Sequence, residues 1–255
     1  QKQGVERLGP ATINRYMAAL SHAFTIAVKE WGWLEDSPMH RVGKPKEPRG
    51  RVRFLSDEER IRLLAESRAS SNPLLYPVVV LALSTGMRLS EIMNLYWREP
   101  KNPPDSAWGV VDAESGRIVL HLTKNGERRL VPLVGHAREC VKSLTVRRLD
   151  TDLLFPAARP PRRKFGEQPT DIKPVDLRKP WENALSRAKI EDFRFHDLRH
   201  SAASYLAMNG ASLAEISETL GHKTLQMVKR YSHLSEAHTA TVVSRMNDAI
   251  FGTGE

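Results

Sequence analysis

The amino-acid sequence predicts a mainly α-helical protein with a small antiparallel β-sheet, an α+β fold. Apolar residues recur at helical spacing through most of the chain, as in 12–33 and 235–251. The almost wholly apolar run 74–83, followed by Gly86, predicts a helix buried on all sides. Residues 117–133 instead alternate apolar and polar side chains around an Asn-Gly pair, the strongest short signal for a β-hairpin.

Capping residues and periodicity predict the remaining elements. Ser56 with Glu59, and Ser212 with Glu215, have the spacing of capping boxes, which begin helices. A further helix is expected through 91–97. The hairpin pairs 117–123 with 127–133, and later helices are expected at 136–149, 175–189, 197–208, 213–220, 225–231 and 235–251.

The domain organisation follows from composition. The chain has 255 residues, enough for one large domain or two small ones. Residues 39–53 are rich in proline, glycine and basic residues, which is typical of a linker. We therefore expect a partial helical segment at 1–45, a basic linker at 46–55 and a globular domain at 56–255. Because the chain begins at Gln1 rather than Met, we expect it to be part of a longer protein.

Charge and cysteine content narrow the class of protein. The chain has 39 Lys and Arg against 30 Asp and Glu, a formal charge of +9, which favours a nucleic-acid partner. A protein with a basic surface but no nucleic-acid partner would have the same excess of Lys and Arg. The lone Cys140 cannot form an internal disulfide, and the sequence contains no signal peptide or membrane-spanning apolar run. We expect a cytoplasmic protein with no membrane partner.

Three local patterns carry side chains suited to phosphodiester chemistry. They are Thr85-Gly86-Met87-Arg88 with Glu91, His196-Asp197-Leu198-Arg199-His200, and Leu220-Gly221-His222 followed nine residues later by Tyr231. Cleavage of a phosphodiester builds negative charge on its oxygens, and the planar fork of arginine binds such oxygens in pairs. Arg88 and Arg199 are therefore candidates for an anion clamp, with Glu91 positioned to hold Arg88. An isolated arginine in the place of Arg88 is more often a helix cap or a surface ion pair.

A tyrosine nucleophile needs help from its neighbours. A phenol with a pKa of about 10 is only about 0.1% ionised at pH 7, so another group must accept its proton. His196 and His222 are candidates. Lys124, at the hairpin tip, is a candidate proton donor to the leaving 5′ oxygen, although a lysine before Asn-Gly is ordinarily a solvated turn residue. We expect three other histidines to be structural: His200, His233 and His238.

In their order along the chain these patterns resemble the tyrosine recombinases, the family of phage integrases and chromosome-dimer resolving enzymes. The resemblance covers 56 to about 251, and 10–38 less closely resembles part of the family's helical core-binding domain. Met227 and Val228 depart from the threonines common in the family. The resemblance implies a catalytic domain that cleaves and rejoins DNA through a covalent 3′-phosphotyrosine. The implied catalytic residues are Arg88, Lys124, His196, Arg199, His222 and Tyr231.

The resemblance also implies roles and partners. His196 would help to accept the tyrosine proton, and His222 would hydrogen-bond the scissile phosphate. The partner would be double-stranded DNA, bound by a homotetramer that assembles through the apolar C-terminal helix in the nucleoid. No metal or other cofactor is expected, because guanidinium groups stand where a nuclease would place Mg²⁺. Basic residues expected to contact the DNA backbone are Arg41, Lys44, Lys46, Arg49, Arg51, Arg53, Arg162, Arg163 and Lys164.

Three other interpretations remain open at this stage. Residues 213–231 have features of a helix-turn-helix, so the chain could be a catalytically silent DNA-binding protein, although this leaves Arg88 and Lys124 unexplained. A type IB topoisomerase would share the chemistry and differ in outcome. His196 and His200 have the four-residue spacing of zinc ligands, but no third ligand is evident.

Overall fold

Helices dominate the part of the chain that this computed structural model describes. The described residues are 8–48, 53–122, 128–144, 150–158 and 172–252, and side chains are described for these except at 122 and 235–239. The chain separates into two compact units, Gln1–Arg51 and Val52–Glu255. No helix among the described residues is both long and apolar enough to cross a membrane.

The first unit is built on one long helix. Helix α1, Pro10–Lys29, is followed by a short 3-10 helix, Pro38–Arg41. The Asn14 side chain donates to the carbonyl of Pro45 at 2.9 Å and to the carboxylate of Glu47 at 2.8 Å. The extended segment after the 3-10 helix therefore runs back along α1. Only Ala27 of α1 is buried, so this helix contributes little apolar core.

The second unit contains eight helices in its described part. They are α2 Asp57–Arg68, α3 Leu75–Thr85, α4 Leu89–Met93, α5 Gly135–Lys142, α6 Arg178–Arg187, α7 Asp197–Met208, α8 Leu213–Leu220 and α9 Glu236–Phe251. Both predicted capping boxes are present, at the starts of α2 and α8. Helix α3 lies at the centre of the main core, as its apolar composition predicts, and α7 packs against it.

A four-stranded sheet covers one side of this core. Its strands are β1 Leu95–Tyr96, β2 Trp108–Asp112, β3 Arg117–Leu122 and β4 Arg129–Pro132, in that order. The predicted hairpin is confirmed as β3 and β4, which pair antiparallel, and β2 also pairs antiparallel with β3. The pair β1 and β2 is parallel, so the expectation of an antiparallel sheet is corrected to a mixed one. A strand of two residues leaves no alternation in the sequence, and so β1 was not predicted.

Two predicted helices are corrected by the structure. The helix expected through 91–97 stops at Met93, because Leu95 and Tyr96 join the sheet. The helix expected at 225–231 is instead two 3-10 helices, Leu225–Met227 and Lys229–Ser235. The mainly helical fold with a small sheet is confirmed.

Candidate active site

The turn from α3 into α4 places the first two residues of the site, Arg88 and Glu91. Gly86 ends that helix in the left-handed conformation, with a φ of +61°, which only glycine adopts without strain. The chain then turns directly into α4, with Arg88 at its N-cap. The fully buried carboxylate of Glu91 accepts from the Arg88 guanidinium at 2.8 Å and from the Arg88 backbone N–H at 2.9 Å. Glu91 therefore holds Arg88, as the sequence predicts.

A second arginine shares this carboxylate. Arg129, at the start of β4, donates through Nη2 to Oε2 of Glu91 at 3.1 Å and through Nη1 to the carbonyl of Leu220. Its side chain is only 11% exposed. Reasoning from sequence missed Arg129, because it lies in a hairpin strand beside Arg128 and nothing local shows which of the two faces the core.

Arg199 supplies a third guanidinium group. It lies in the first turn of α7, is 4% exposed, and donates through Nη1 to the carbonyl of Gly86 at 2.7 Å. Its Nη2 has no hydrogen-bond partner among the described residues. Burial, together with the nearby Arg88 guanidinium, lowers the pKa of Arg199 to about 9, so the group is still charged at neutral pH. A buried cation with a free donor is a site that an anion would stabilise.

His222 follows the end of α8 and lies near the same cations. Gly221 ends α8 with a φ of +66°, its N–H donates to the carbonyl of Glu218, and the His222 N–H donates to the carbonyl of Ser217 at 2.9 Å. These two bonds form a Schellman motif, which fixes the His222 backbone relative to the helix. Burial and then the charge of Arg199 lower the pKa of His222 to about 4. We call Arg88, Glu91, Arg129, Arg199 and His222 together the anion corner.

Tyr231 lies in the 3-10 helix Lys229–Ser235, which we call the nucleophile segment. The residue is 2% exposed, and its hydroxyl lies 2.5 Å from Nδ1 of His200. Burial raises the pKa of Tyr231, and burial followed by the charge of His196 lowers the pKa of His200 to about 4. The phenol is therefore protonated and held inside the protein by a neutral imidazole.

The histidine beside the phenol differs from the one that the sequence favours. His196 is exposed at the N-terminal end of α7, and its ring lies 5.4 Å from that of His200. The hydroxyl of Tyr231 contacts His200, which reasoning from sequence had set aside as structural. The signal available was helical spacing: residues 196 and 200 lie one turn apart and share a face of α7.

The remaining candidates are Lys124 and the basic residues expected to contact DNA. Lys124 falls outside the described residues, as do Arg49, Arg51, Arg162, Arg163 and Lys164. Arg41, Lys44 and Lys46 are exposed in the first unit.

Arg53 lies at the start of the second unit and is partly exposed. Its guanidinium pairs with Glu59 at 2.5 Å and lies 5.2 Å from the ring centre of Phe193. The structure therefore gives Arg53 a role in joining the start of the second unit to its core.

Among the residues that the structure describes, no group of three or more His, Cys, Asp or Glu side chains could hold a metal ion. The pair His196 and His200 therefore has no third ligand in that part of the chain.

The second unit is a helical domain with a small mixed sheet, in which Arg88 and Arg129 bind one buried carboxylate and the buried Arg199 and Tyr231 lie nearby. Residues 53–238 match the model of the phage integrase family. The chain belongs to this family.

Individual relatives agree with the family match. The chain is 34% identical over 224 residues to a shufflon-specific DNA recombinase of Escherichia coli, covering 88% of this chain and 51% of that protein. The chain thus spans about half the length of this curated relative. The solved catalytic domain of bacteriophage HP1 integrase is 28% identical with a TM-score of 0.54, covering 80% of this chain and 100% of that one. The fold also matches the Tn1549 transposon integrase in complex with a circular intermediate DNA, at 16% identity and a TM-score of 0.64, covering 92% and 80%.

Proposed function

We propose that this chain contains the catalytic part of a site-specific DNA recombinase, which cleaves and rejoins strands through a covalent bond between Tyr231 and a 3′ phosphate. The observation that carries the proposal is the anion corner. Arg88 and Arg129 share one buried carboxylate, and the buried Arg199 nearby has a free donor among the described residues. Membership of the phage integrase family supports the same conclusion.

The anion corner suits a phosphodiester better than a structural ion pair. Its guanidinium groups outnumber the carboxylate of Glu91 with which they associate, so positive charge is in excess. Such clusters are unfavourable unless an anion joins them. In the proposed complex Arg88 and Arg199 bind the two nonbridging oxygens of the scissile phosphate, and the half-buried ring of His222 donates a further hydrogen bond.

The proposed reaction is a transesterification that conserves bond energy. The phenol oxygen of Tyr231 attacks phosphorus, and the bond from phosphorus to the 5′ oxygen breaks. The phenol proton passes to a histidine, His200 or His196, and Lys124 donates a proton to the leaving 5′ oxygen. A 5′ hydroxyl of another strand reverses these steps and reseals the DNA. The arginines supply the positive charge that a metal ion supplies in many nucleases.

Tyr231 has to move out of its buried position before its phenol oxygen can attack phosphorus. The phenol is 2% exposed, and His200 with a pKa of about 4 is too weak a base to ionise it there. We therefore propose that DNA binding shifts the nucleophile segment and presents Tyr231 to the phosphate. A 3-10 helix has poorer hydrogen-bond geometry than an α-helix, so such a segment rearranges at modest cost.

The proposed partner is double-stranded DNA, as the Escherichia coli recombinase name and the Tn1549 complex indicate for those proteins. We further propose a homotetramer on DNA that assembles through α9, and a location in the cytoplasm with the nucleoid. Helix α9 exposes large apolar side chains, between 42% and 72% accessible, and a partner subunit would cover them. These are Val242, Val243, Met246, Ile250 and Phe251.

Covalent capture tests the proposal directly. The protein is mixed with nicked duplexes of randomised sequence, in which cleavage releases a short fragment that diffuses away and so traps the intermediate. We expect a denaturation-resistant adduct with wild-type protein and none with Tyr231→Phe, in the presence or absence of EDTA. The captured DNA would reveal the preferred sequence.

Other outcomes would replace the proposal. Retarded but never covalent complexes would indicate a DNA-binding protein without cleavage activity. An adduct that persists in Tyr231→Phe would move the nucleophile elsewhere, and loss of the adduct with EDTA would restore a metal-dependent mechanism. Relaxation of supercoiled plasmid without joining of two sites would indicate a topoisomerase.

A further inference from the structure

We propose that Arg129 is a positioning residue of the cleavage site, which fixes the turn carrying His222 against Glu91 and thereby sets the place of the histidine ring. The inference rests on the proposed function for its effect on catalysis. Its structural part concerns His222 alone and is testable without DNA.

The first support is that Arg129 joins three separate elements. It belongs to β4, its Nη2 binds Glu91 of α4 at 3.1 Å, and its Nη1 binds the carbonyl of Leu220 at the end of α8. Glu91 is fully buried and Arg129 is 11% exposed, so neither contact competes with bulk water. Removing Arg129 would break this bridge between β4 and the end of α8.

The second support is the hydrogen bonding of the last carbonyl of α8, that of Leu220. The Schellman motif satisfies the carbonyls of Ser217 and Glu218, and that of Leu220 lies beyond it. Helix C-termini leave such groups unpaired and carry partial negative charge, so a guanidinium is a well-matched partner. His222 lies two residues further on, so the position of this carbonyl controls the position of the ring.

The third support is the space beside Gly221. A Cβ atom built at Gly221 would overlap the guanidinium of Arg129, so the arginine lies directly against the glycine backbone. Glycine is therefore required here for its positive φ and also for the close approach of Arg129. The His222 turn and the Arg129 side chain form one packed unit.

The position of Arg129 in the chain extends its role. It is the first residue of β4, which pairs with β3, and Lys124 lies between these two strands in the sequence, outside the described residues. An arginine that holds this strand against α4 also limits where the hairpin can move. Arg129 thus connects the residue proposed to bind phosphate, His222, with the element that carries the proposed proton donor.

Two variants and one matched control test the inference. Arg129→Met removes both polar contacts and keeps the aliphatic stem. Arg129→Lys keeps the charge but cannot bind Glu91 and Leu220 through a fork. Arg138→Met is the control, because Arg138 also ties two elements together, donating to the carbonyls of Ala113 at 2.8 Å and Glu114 at 2.5 Å, away from the site.

The first readout is the pKa of His222, measured by NMR on protein with labelled histidine and assigned by the signal lost in His222→Gln. The cations around this ring that lower its pKa are Arg199, Arg88, Arg129 and Arg230. We expect Arg129→Met to raise the pKa of His222 by about one unit, because a nearby cation is removed and the turn loosens. Arg129→Lys should give a smaller rise and Arg138→Met none. A value in Arg129→Met within about 0.2 of wild type would overturn the inference.

The second readout is adduct formation at saturating DNA. We expect Arg129→Met to slow it about 30-fold with less than a threefold change in the Kd for DNA, since a displaced ring weakens only the transition state. Partial recovery is expected in Arg129→Lys, and wild-type rates in Arg138→Met. Equal rates in wild type and Arg129→Met would also overturn the inference. A wild-type protein that forms no adduct would instead count against the proposed function, while the NMR result still decides the role of Arg129.

If Arg129→Met does not fold, the His222 pKa and the rate of adduct formation are measured on Arg129→Lys instead. A wild-type His222 pKa and a wild-type adduct rate in Arg129→Lys would then overturn the requirement for a forked donor.

Discussion

The anion corner and the nucleophile segment are built in opposite ways. The anion corner is preassembled: a left-handed glycine, a capping interaction and a Schellman motif fix Arg88, Glu91 and His222 before any ligand arrives. The nucleophile segment is a 3-10 helix that holds Tyr231 inside the protein on His200. In the proposed reaction the scissile phosphate would therefore meet a preassembled set of side chains, and the release of the phenol would control cleavage.

The largest expected effect is on the anion corner. We predict that Arg199→Ala or Arg88→Ala raises the barrier to cleavage by at least about 3 kcal/mol, more than 100-fold in rate, as loss of one preorganised anion donor does. The measurement is the single-turnover rate of adduct formation. Arg178→Ala is a suitable control, because that arginine forms an exposed ion pair with Asp176. Unchanged rates in both variants would show that the corner does not bind the reacting phosphate.

A second prediction separates the two histidines beside the nucleophile segment. We expect His200→Gln to slow adduct formation about 100-fold, because His200 contacts the phenol, and His196→Gln to slow it about tenfold. The reverse order would show that the contact with His200 belongs only to the resting position, and that His196 receives the proton after Tyr231 moves.

The third prediction concerns the stability of the anion corner. Glu91→Gln keeps the shape but places an amide among cationic donors, so we expect the free energy of unfolding to fall by about 2 kcal/mol. Asp176→Asn, which alters an exposed pair with Arg178, should leave the free energy of unfolding nearly unchanged. Urea denaturation of both variants measures the difference. If Glu91→Gln lowers the free energy of unfolding no more than Asp176→Asn does, the negative charge of Glu91 does not stabilise the arginines around it.

The same contrast explains which parts of the site are readable from the sequence. Arg88 and Glu91 lie three residues apart after a buried helix and a glycine, so their contact follows from local rules. Arg129 and His200 reach the site through tertiary packing: Arg129 meets Leu220 across 91 positions, and His200 meets Tyr231 across 31. No pattern within one element encodes such contacts.

The fold shows the same division. Long periodic helices and the Asn-Gly hairpin are predicted because their signals are contained within one segment. Strand β1 is two residues long and exists because Leu95 and Tyr96 pair with β2 in parallel, which no alternation reveals. The 3-10 form of the nucleophile segment likewise departs from its apolar spacing, which suits an α-helix equally well.

The smallest expected effect is a pH dependence of stability shared by both regions. His222 in the anion corner and His200 beside the nucleophile segment each have a folded pKa of about 4, below the ordinary value of 6.5. At a pH well above 6.5 both rings are neutral in the folded and unfolded states, so they add no pH dependence there. Between pH 6.5 and pH 4 the unfolded chain binds protons that the folded protein does not, and the free energy of unfolding therefore decreases.

We expect a loss of about 1 kcal/mol for each ring between pH 7 and pH 5, because both are half-buried and partly screened by solvent. Urea denaturation at the two pH values measures it. His200→Gln and His222→Gln should each make the free energy of unfolding fall less between pH 7 and pH 5, and the double variant should reduce this fall more than either single variant. If only His222→Gln reduces it, the phenol already exchanges out of its pocket in the free protein and leaves His200 solvated. The two regions would then differ in dynamics as well as in construction, and the release of Tyr231 would precede DNA binding.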